Sequence, residues 1–359
     1  MTTMKTRRRS EFHSLRVAGV ERLCADAVAV TFDVPAELED RYAFRPGQSL
    51  TVRRPGDEAD ERRTYSICAP AGARPRIGVR EVPGGLVSTW LVHDLRPGDR
   101  VEVAPPSGTF TPDLDRPGHH VLIAAGSGIT PVLSIAASLL RNPETQVSVL
   151  YGNRRADTVM FAEELSDLKD RHPSRLELVH LLSREAREVE LFSGRLNAAK
   201  LRTLLPLLID IDAVADWWLC GPFGMVTDAT EVLGEHGVPP ERIHRELFWV
   251  DELPPEVVRE DDTRPDGPAS EVTVLLDGRA TTVTVAEGDT VLEGAQRSRP
   301  DLPFACKGGV CGTCRGRVVE GEVRMRRNFA LEPREVAAGF VLTCQSTPVT
   351  EKVIVDFDD

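Results

Sequence analysis

Short runs of alternating apolar and polar residues dominate the first third of the chain. Turn pairs such as Pro46-Gly47 and Pro97-Gly98 separate these runs. Because a period of two puts every second side chain on one face of a strand, the pattern predicts an antiparallel β-sandwich or β-barrel. We expect this domain to span residues 11–113 and to contain one helix near 88–94. Its predicted strands include 28–32, 49–52, 76–80 and 100–103.

From residue 117 to residue 249 the pattern changes to apolar runs that alternate with helical segments. Continuous apolar runs are typical of strands that are buried on both faces. Their alternation with helices indicates right-handed βαβ units, so this part predicts an α/β domain with a parallel sheet. The predicted strands are 120–125, 146–151, 175–182, 216–220 and 243–248, and the predicted helices are 131–140, 162–171, 198–205 and 224–236.

An acidic, proline-rich stretch follows at residues 250–270. It holds four prolines and seven acidic residues but only two arginines, so it predicts a solvated linker. A third domain is expected at 271–359. It opens with a predicted β-hairpin, whose strands 271–277 and 280–285 meet at Asp277-Gly278, and continues with a helix at 290–297.

Composition and charge narrow the possible functions of these domains. The chain has 359 residues, 41% hydrophobic and 28% charged, which is ordinary for a soluble protein of two or three domains. A net charge of −12 argues against a nucleic-acid partner. No apolar run is long enough to span a bilayer, and no signal sequence follows the basic residues 6–9, so no membrane partner is expected.

Four cysteines near the end of the chain carry the strongest chemical signal. Cys306, Cys311, Cys314 and Cys344 are spaced C-x4-C-x2-C-x29-C, which is the ligand spacing of a plant-type [2Fe–2S] cluster. A structural zinc site is the alternative, but its ligands usually come in two short knuckles rather than three on one loop. Free thiolates are kept in reducing compartments, so we expect a cytoplasmic protein.

Two adjacent signals in the first domain are suited to a flavin. Residues 63–66 read Arg-Thr-Tyr-Ser: the guanidinium offers a fork to a diphosphate, the phenol ring can stack on an isoalloxazine, and the serine can hydrogen-bond to it. An ordinary exposed strand can carry the same residues. Gly84 and Gly85 follow, with Ser88 predicted as the cap of a short helix, which is a typical anion site.

The second domain carries two loops of the kind that bind nucleotides. Residues 125–131 read Ala-Gly-Ser-Gly-Ile-Thr-Pro directly after a predicted strand, and 220–224 read Cys-Gly-Pro-Phe-Gly after another. The first loop is G-x-G-x-x-P and not the dinucleotide fingerprint G-x-G-x-x-G. Both loops fall at the carboxyl ends of parallel strands, where open α/β sheets bind ligands.

The order of these motifs resembles the ferredoxin–NADP reductase superfamily with a fused plant-type ferredoxin, from about residue 12 to the end. Within it, the chain is most similar to the reductase branch of phenylacetyl-CoA epoxidases. The residues behind that likeness are 12–15, 65–68, 151–154, 305–311, 331–333, 339–345 and 355–358. The resemblance implies a flavin-binding β-barrel, an α/β nucleotide domain and a β-grasp-like [2Fe-2S] ferredoxin domain.

The resemblance also assigns cofactor-binding residues, and it implies no catalytic side chain. For FAD these are Arg63, Thr64, Tyr65, Ser66, Gly85, Val87 and Ser88, with Phe248 either near the flavin or in the core. For the nicotinamide nucleotide they are Gly126, Gly128, Thr130, Pro131, Arg154, Ser183, Arg184, Cys220, Gly221 and Pro222. No acidic residue stands at 183 or 184 to bind a free ribose hydroxyl, which favours NADPH over NADH.

The function implied is a reductase that passes electrons from NADPH through FAD and the [2Fe-2S] cluster to an oxygenase. The expected partner is the di-iron oxygenase of a phenylacetyl-CoA epoxidase complex. The alternative partner is a Rieske-type hydroxylase that acts on steroid or aromatic compounds. A third possibility, from another class, is a structural or regulatory protein with zinc at the four cysteines.

Overall fold

Three large sheets and one two-stranded sheet, in which 323–325 pairs with 346–348, organise the computed structural model, which describes residues 12–54, 61–249, 269–331 and 333–358. Most of the predicted linker lies outside these residues. Its predicted end at 270 is too late, because Ala269 and Ser270 already pair with Ala286 and Val285 in the first strand of the third sheet. No helix in the described ranges is both long and apolar enough to cross a bilayer.

The first sheet has six antiparallel strands in the order β4-β3-β6-β1-β2-β5. An antiparallel bridge between Ile67 and Ile77 joins the end of β4 to β5, so the sheet closes as the predicted barrel. Its interior is apolar, with Phe32 and Leu50 fully buried. The elements are β1 (His13–Cys24), β2 (Ala27–Asp33), α1 (Glu39–Tyr42), β3 (Ser49–Arg53), β4 (Arg62–Ser66), β5 (Arg76–Arg80), α2 (Leu86–His93) and β6 (Arg100–Val103).

The short helix of the barrel differs from its prediction. It begins at Leu86 and its N-cap is Gly85, so the prediction of Ser88 as the cap is wrong. The physical reason lies one residue earlier, where Gly84 adopts a φ of +75° and turns the chain. The extended backbone of Gly85 then leads directly into the helix.

The second sheet is parallel, in the order β11-β10-β7-β8-β9, as predicted. Helices α3 and α4 cover the face that packs against the barrel, and α5 and α6 cover the other face. The elements are β7 (His119–Ala125), α3 (Ile129–Leu139), β8 (Gln146–Asn153), α4 (Ala162–Arg171), β9 (Leu176–Leu182), α5 (Ala198–Leu208), β10 (Val214–Pro222), α6 (Phe223–Glu235) and β11 (Ile243–Trp249).

The third sheet is mixed, in the order β13-β12-β18-β14-β16, with β12 and β18 parallel. The predicted hairpin is confirmed, and Asp277 and Gly278 form its turn with φ values of +54° and +71°. Thr290 caps the following helix by accepting a hydrogen bond from the Glu293 N–H at 3.2 Å. The elements are β12 (Ala269–Leu276), β13 (Arg279–Ala286), α7 (Val291–Gln296), β14 (Arg315–Glu320), β15 (Val323–Met325), α8 (Pro333–Ala337), β16 (Phe340–Leu342), β17 (Ser346–Pro348) and β18 (Lys352–Asp356).

Candidate functional site

The four cysteines of the third unit come together as two pairs. Cys311 neighbours Cys306 and lowers the pKa of its thiol, and Cys344 neighbours Cys314 and raises the pKa of its thiol. The two pairs are close enough for the charges of Cys306 and Cys311 to raise the pKa of Cys314. Lys307 takes a positive φ of 49°, which bends the loop around the sulfur of Cys306.

Backbone N–H groups point at these sulfurs. Those of Gly308, Val310 and Cys311 donate to the Cys306 Sγ at 3.3, 3.4 and 3.4 Å. The hydrogen bond from the Cys311 thiol, followed by those from the backbone, lowers the pKa of Cys306 and so favours its thiolate form. The Gln345 side chain donates to the Cys344 Sγ at 3.6 Å.

This donor set fits a two-iron cluster. The paired thiols match a [2Fe–2S] cluster, which is held by four cysteine thiolates shared between its two irons. The N–H groups around Cys306 are of the kind that tune such a cluster through its sulfurs.

The predicted flavin residues of β4 are placed on a strand at the edge of the barrel sheet. Arg63 pairs with Glu61 at 2.7 Å, and its side chain is half-exposed. Tyr65 is half-buried, and burial raises its pKa above the ordinary value. Thr64 shares a hydrogen bond with Thr51 of β3, with 3.2 Å between the two Oγ1 atoms.

The predicted anion site at α2 is more constrained than the sequence indicates. A Cβ on Gly85 would lie 2.6 Å from the Ser88 Oγ, so only glycine fits beneath that hydroxyl. The Ser88 hydroxyl is itself occupied, because it donates to the Gly85 carbonyl at 3.2 Å and accepts from the Val82 N–H at 3.1 Å. The first-turn N–H groups at Leu86 and Val87 are therefore the donors that the helix start offers.

The two nucleotide-type loops of the α/β unit touch each other. Residues Gly126–Gly128 form a tight turn before α3, and a Cβ on Gly128 would lie 2.2 Å from the Cys220 carbonyl oxygen. Gly221 adopts a φ of +156°, and a Cβ there would lie 3.2 Å from the Ala125 nitrogen. The glycines thus let the carboxyl ends of β7 and β10 approach as closely as a pyrophosphate site needs.

The helix that starts at this turn is fixed by its own first residues. The Thr130 hydroxyl is buried and donates to the Ser127 carbonyl at 3.0 Å. Pro131 is the third residue of α3, where a missing N–H leaves no helical hydrogen bond unmade. Phe248 is partly buried against the apolar layer beneath these loops, which leaves its predicted role near the flavin untested.

Two exposed arginines lie side by side at the carboxyl ends of β8 and β9. The Arg184 N–H donates to the Arg154 carbonyl at 2.8 Å, and the Ser183 N–H donates to the Asn153 carbonyl at 2.9 Å. Arg154 and Arg184 are both exposed. The structure therefore places Arg154, one of the residues predicted to bind the nicotinamide nucleotide, beside Ser183 and Arg184, the two positions predicted to favour NADPH.

Glu246 is a member of the site that sequence reasoning missed. The Ser66 hydroxyl donates to its Oε2 at 3.1 Å, and the Cys220 Sγ lies 3.9 Å from the same oxygen. Burial raises the pKa of Glu246 to about 7, and burial together with the nearby carboxylate raises the pKa of Cys220. The carboxyl thus joins β4 to the Cys220 loop and can hold a proton there near neutral pH. Because β4 carries four of the residues predicted to bind FAD, we call it the flavin strand.

The signal for Glu246 was present in the sequence. It is a charged residue of β11, a strand predicted to be buried, and a buried charge requires partners.

Three family models match the chain, one for each of its three domains. The model described as "Oxidoreductase FAD-binding domain" matches residues 14–111, and "Oxidoreductase NAD-binding domain" matches 122–231. The model described as "2Fe-2S iron-sulfur cluster binding domain" matches 274–349 and includes all four paired cysteines. These matches favour the cluster over zinc.

The contact between Gly128 and Cys220 generates a first prediction. We expect Gly128→Ala to weaken nucleotide binding about tenfold or more, because overpacking of this kind costs about 1–3 kcal/mol. Flavin content and the cluster spectrum should not change. Titration of the oxidised protein with NADP+ measures the dissociation constant. Gly234→Ala is the matched control, because a Cβ at that glycine, far along α6 from the predicted loop, meets nothing within 4 Å. Equal affinities for the two variants would contradict the packing argument.

The raised pKa of Glu246 generates a second prediction. Between the ordinary pKa of 4.5 and about 7, the folded chain holds a proton on Glu246 that the unfolded chain releases. Stability should therefore fall as pH rises through this window, by at most roughly 3 kcal/mol. Glu246→Gln cannot titrate and should escape that loss, so its melting temperature relative to the native chain should rise between about pH 5 and about pH 8. Calorimetry checks this, with the exposed Glu241→Gln as control. A constant difference would remove the assignment.

Similar proteins agree on one kind of activity. The chain is 42% identical to a subunit of the 1,2-phenylacetyl-CoA epoxidase of Escherichia coli, over 97% of this chain and 98% of that protein. It is 34% identical to the ferredoxin reductase component of 3-ketosteroid-9-alpha-monooxygenase from Rhodococcus rhodochrous, over 99% and 100% of the two chains. Phthalate dioxygenase reductase shares the fold, with a TM-score of 0.60 at 23% identity over 98% and 100%. The chain therefore belongs to the ferredoxin–NADP reductase superfamily, as an NAD(P)H-dependent flavin and [2Fe–2S] oxidoreductase that serves an oxygenase as its reductase component.

Proposed function

We propose that this chain is the reductase component of a phenylacetyl-CoA epoxidase and that its electron donor is NADPH. The observation that carries the proposal is the 42% identity to the Escherichia coli epoxidase protein, which holds over nearly the full length of both chains. The partner that follows is the di-iron oxygenase of that complex. A cytoplasmic location fits the seven cysteines, which are all free thiols.

Residues at different positions in the chain have different roles in the proposed reaction. When bound, the nicotinamide supplies a hydride, FAD accepts it, and the [2Fe-2S] cluster carries electrons one at a time. The Gly126–Gly128 turn and Gly221 hold the nucleotide backbone against the sheet. Ser66, Cys220 and Glu246 enclose the space between the flavin strand and the nucleotide loop and hold a proton on the Glu246 carboxyl.

The side chains near the expected position of the ribose support NADPH as the electron donor. Arg154 and Arg184 present two exposed guanidinium groups there, next to Ser183. A guanidinium suits a 2′-phosphate because it offers a planar set of donors and a permanent positive charge. Glu185 is turned away from this role, because its carboxylate accepts the Ala156 N–H at 2.9 Å.

A second candidate partner is the oxygenase of a ketosteroid monooxygenase. The observation that favours it is the full-length similarity to ketosteroid reductase components, at 34% and 36% identity. The identity to the epoxidase protein is higher, so we place the epoxidase first.

The acceptor is tested by reconstitution. We expect NADPH oxidation to be coupled to phenylacetyl-CoA consumption when the di-iron oxygenase of an epoxidase complex is added, and to stop in Cys344→Ser, which removes a cluster ligand. Cys24→Ser is the matched control, since that thiol lies in the barrel and bonds to Asp26 at 3.1 Å. Reduction of cytochrome c without any phenylacetyl-CoA consumption would contradict the epoxidase assignment. Turnover of a ketosteroid with its oxygenase would then support the second candidate.

The donor is tested at Arg184. We expect Arg184→Ala to raise the KM for NADPH about tenfold or more and to leave the KM for NADH unchanged, because a hydrogen bond to a charged group is worth about 1.5–3 kcal/mol. Arg171→Ala, an exposed arginine at the end of α4, is the control. Equal changes for both nucleotides would show that the side chain does not read the 2′-phosphate.

A further inference from the structure

A buried arginine of the barrel is held by the ferredoxin unit. Arg62, next to the predicted flavin residue Arg63, is only 3% exposed. Its Nη1 donates to the Leu302 carbonyl at 3.3 Å and its Nη2 to the Pro300 carbonyl at 3.1 Å. Both carbonyls belong to the loop between α7 and the cysteines. The guanidinium fork of the barrel therefore closes on the backbone of the third unit.

Aromatic rings complete the enclosure of this guanidinium. Its central carbon lies 4.5 Å from the ring centre of Phe304 and 5.1 Å from that of Phe12. The Lys307 ammonium also lies over the Phe304 ring, at 4.7 Å. A buried cation needs compensation for its lost hydration, and the ferredoxin unit supplies two carbonyls and a ring face. Separation of the two units would remove that compensation.

The loop that receives Arg62 is already fixed by the ferredoxin unit itself. Arg299 is 6% exposed and forms a two-pronged ion pair with Asp301, with both distances at 2.8 Å. Its Nη1 also donates to the Thr281 hydroxyl at 3.0 Å. The ferredoxin unit therefore fixes the Pro300 and Leu302 carbonyls by its own contacts. Their hydrogen bonds with Arg62 consequently order little additional chain.

Thr64, two residues after Arg62, lies on the same face of β4 and contacts the cysteine loop. The Oγ1 atoms of Thr64 and Thr313 lie 3.3 Å apart and share a hydrogen bond. Thr313 stands between Cys311 and Cys314 in that loop. A hydrogen bond therefore joins the flavin strand to the loop that carries the cluster ligands. Charge-assisted bonds are roughly twice as strong as neutral ones, so Arg62 and not this hydroxyl pair is the stronger hold.

We propose that Arg62 is a positioning residue that clamps the ferredoxin unit to the flavin strand and thereby sets the rate of electron transfer from flavin to cluster. That transfer makes and breaks no bond; it oxidises the flavin by one electron and reduces the cluster by one. Its rate depends on how closely and how often the two groups are held together. The proposal is independent of which oxygenase accepts the electrons, and its test contains none.

The test compares full-length holoprotein variants. Arg62→Gln removes the charge and should slow cluster reduction after mixing with NADPH about tenfold or more, as seen by stopped-flow absorbance. Arg62→Lys keeps the charge but loses the fork, so it should recover part of the rate and also serves if the Gln variant folds poorly. Arg74→Gln is the matched control, because that barrel arginine is 72% exposed and pairs with Asp33 at the surface.

Two further measurements separate a clamp from a general disturbance. Small-angle X-ray scattering should show a larger radius of gyration for Arg62→Gln than for the native chain or the control. The midpoint potential of the cluster should not change in Arg62→Lys, which keeps the positive charge beside the cysteine loop. Three results would overturn the proposal. One is slower cluster reduction with an unchanged radius of gyration, and another is a larger radius of gyration with an unchanged rate of cluster reduction. The third is a shift in the midpoint potential that is large enough to explain the slower rate.

Discussion

The alternation of side chains along β4 is the constraint on which the arrangement of the three units depends. Successive residues of a strand face opposite ways, so Arg62, Thr64 and Ser66 share one face. That face meets the ferredoxin unit at its first two positions and the α/β unit at its third. Arg63 and Tyr65 point to the other face, which they share with the buried Val52 and Leu50 of β3. A slip of one residue in the strand would exchange the two sets.

Features that local sequence determines were predictable. The strand Arg76–Arg80 and the helix Ala162–Arg171 have the predicted bounds, because turn residues and a clear period mark both ends. The cysteine spacing is equally local in its first three members. Ser88 shows where such reasoning fails. The pattern Gly-Gly-x-x-Ser does not determine which residue starts the helix. Because Gly84 adopts a positive φ, the helix begins at Leu86, two residues earlier than predicted.

Glu246 and Arg62 were not predictable in the same way, because their partners are distant in sequence. Ser66 and Glu246 are 180 residues apart, and Arg62 and Leu302 are 240 apart. In the sequence, Arg62 differs from Arg63 only in lying outside the Arg-Thr-Tyr-Ser motif, and nothing local shows that its side chain faces another protein unit. A buried charge acquires its role from the groups that compensate it, and here the tertiary fold supplies those groups.

The two junctions on β4 differ in the chemical groups that form them. Four residue steps separate Arg62 from Ser66, about 13 Å along a strand. At one end a carboxyl with a pKa of about 7 joins the flavin strand to the nucleotide loop. At the other end the Arg62 guanidinium joins the strand to the ferredoxin unit through two backbone carbonyls. A change of pH near neutrality therefore alters the proton held beside the nucleotide loop.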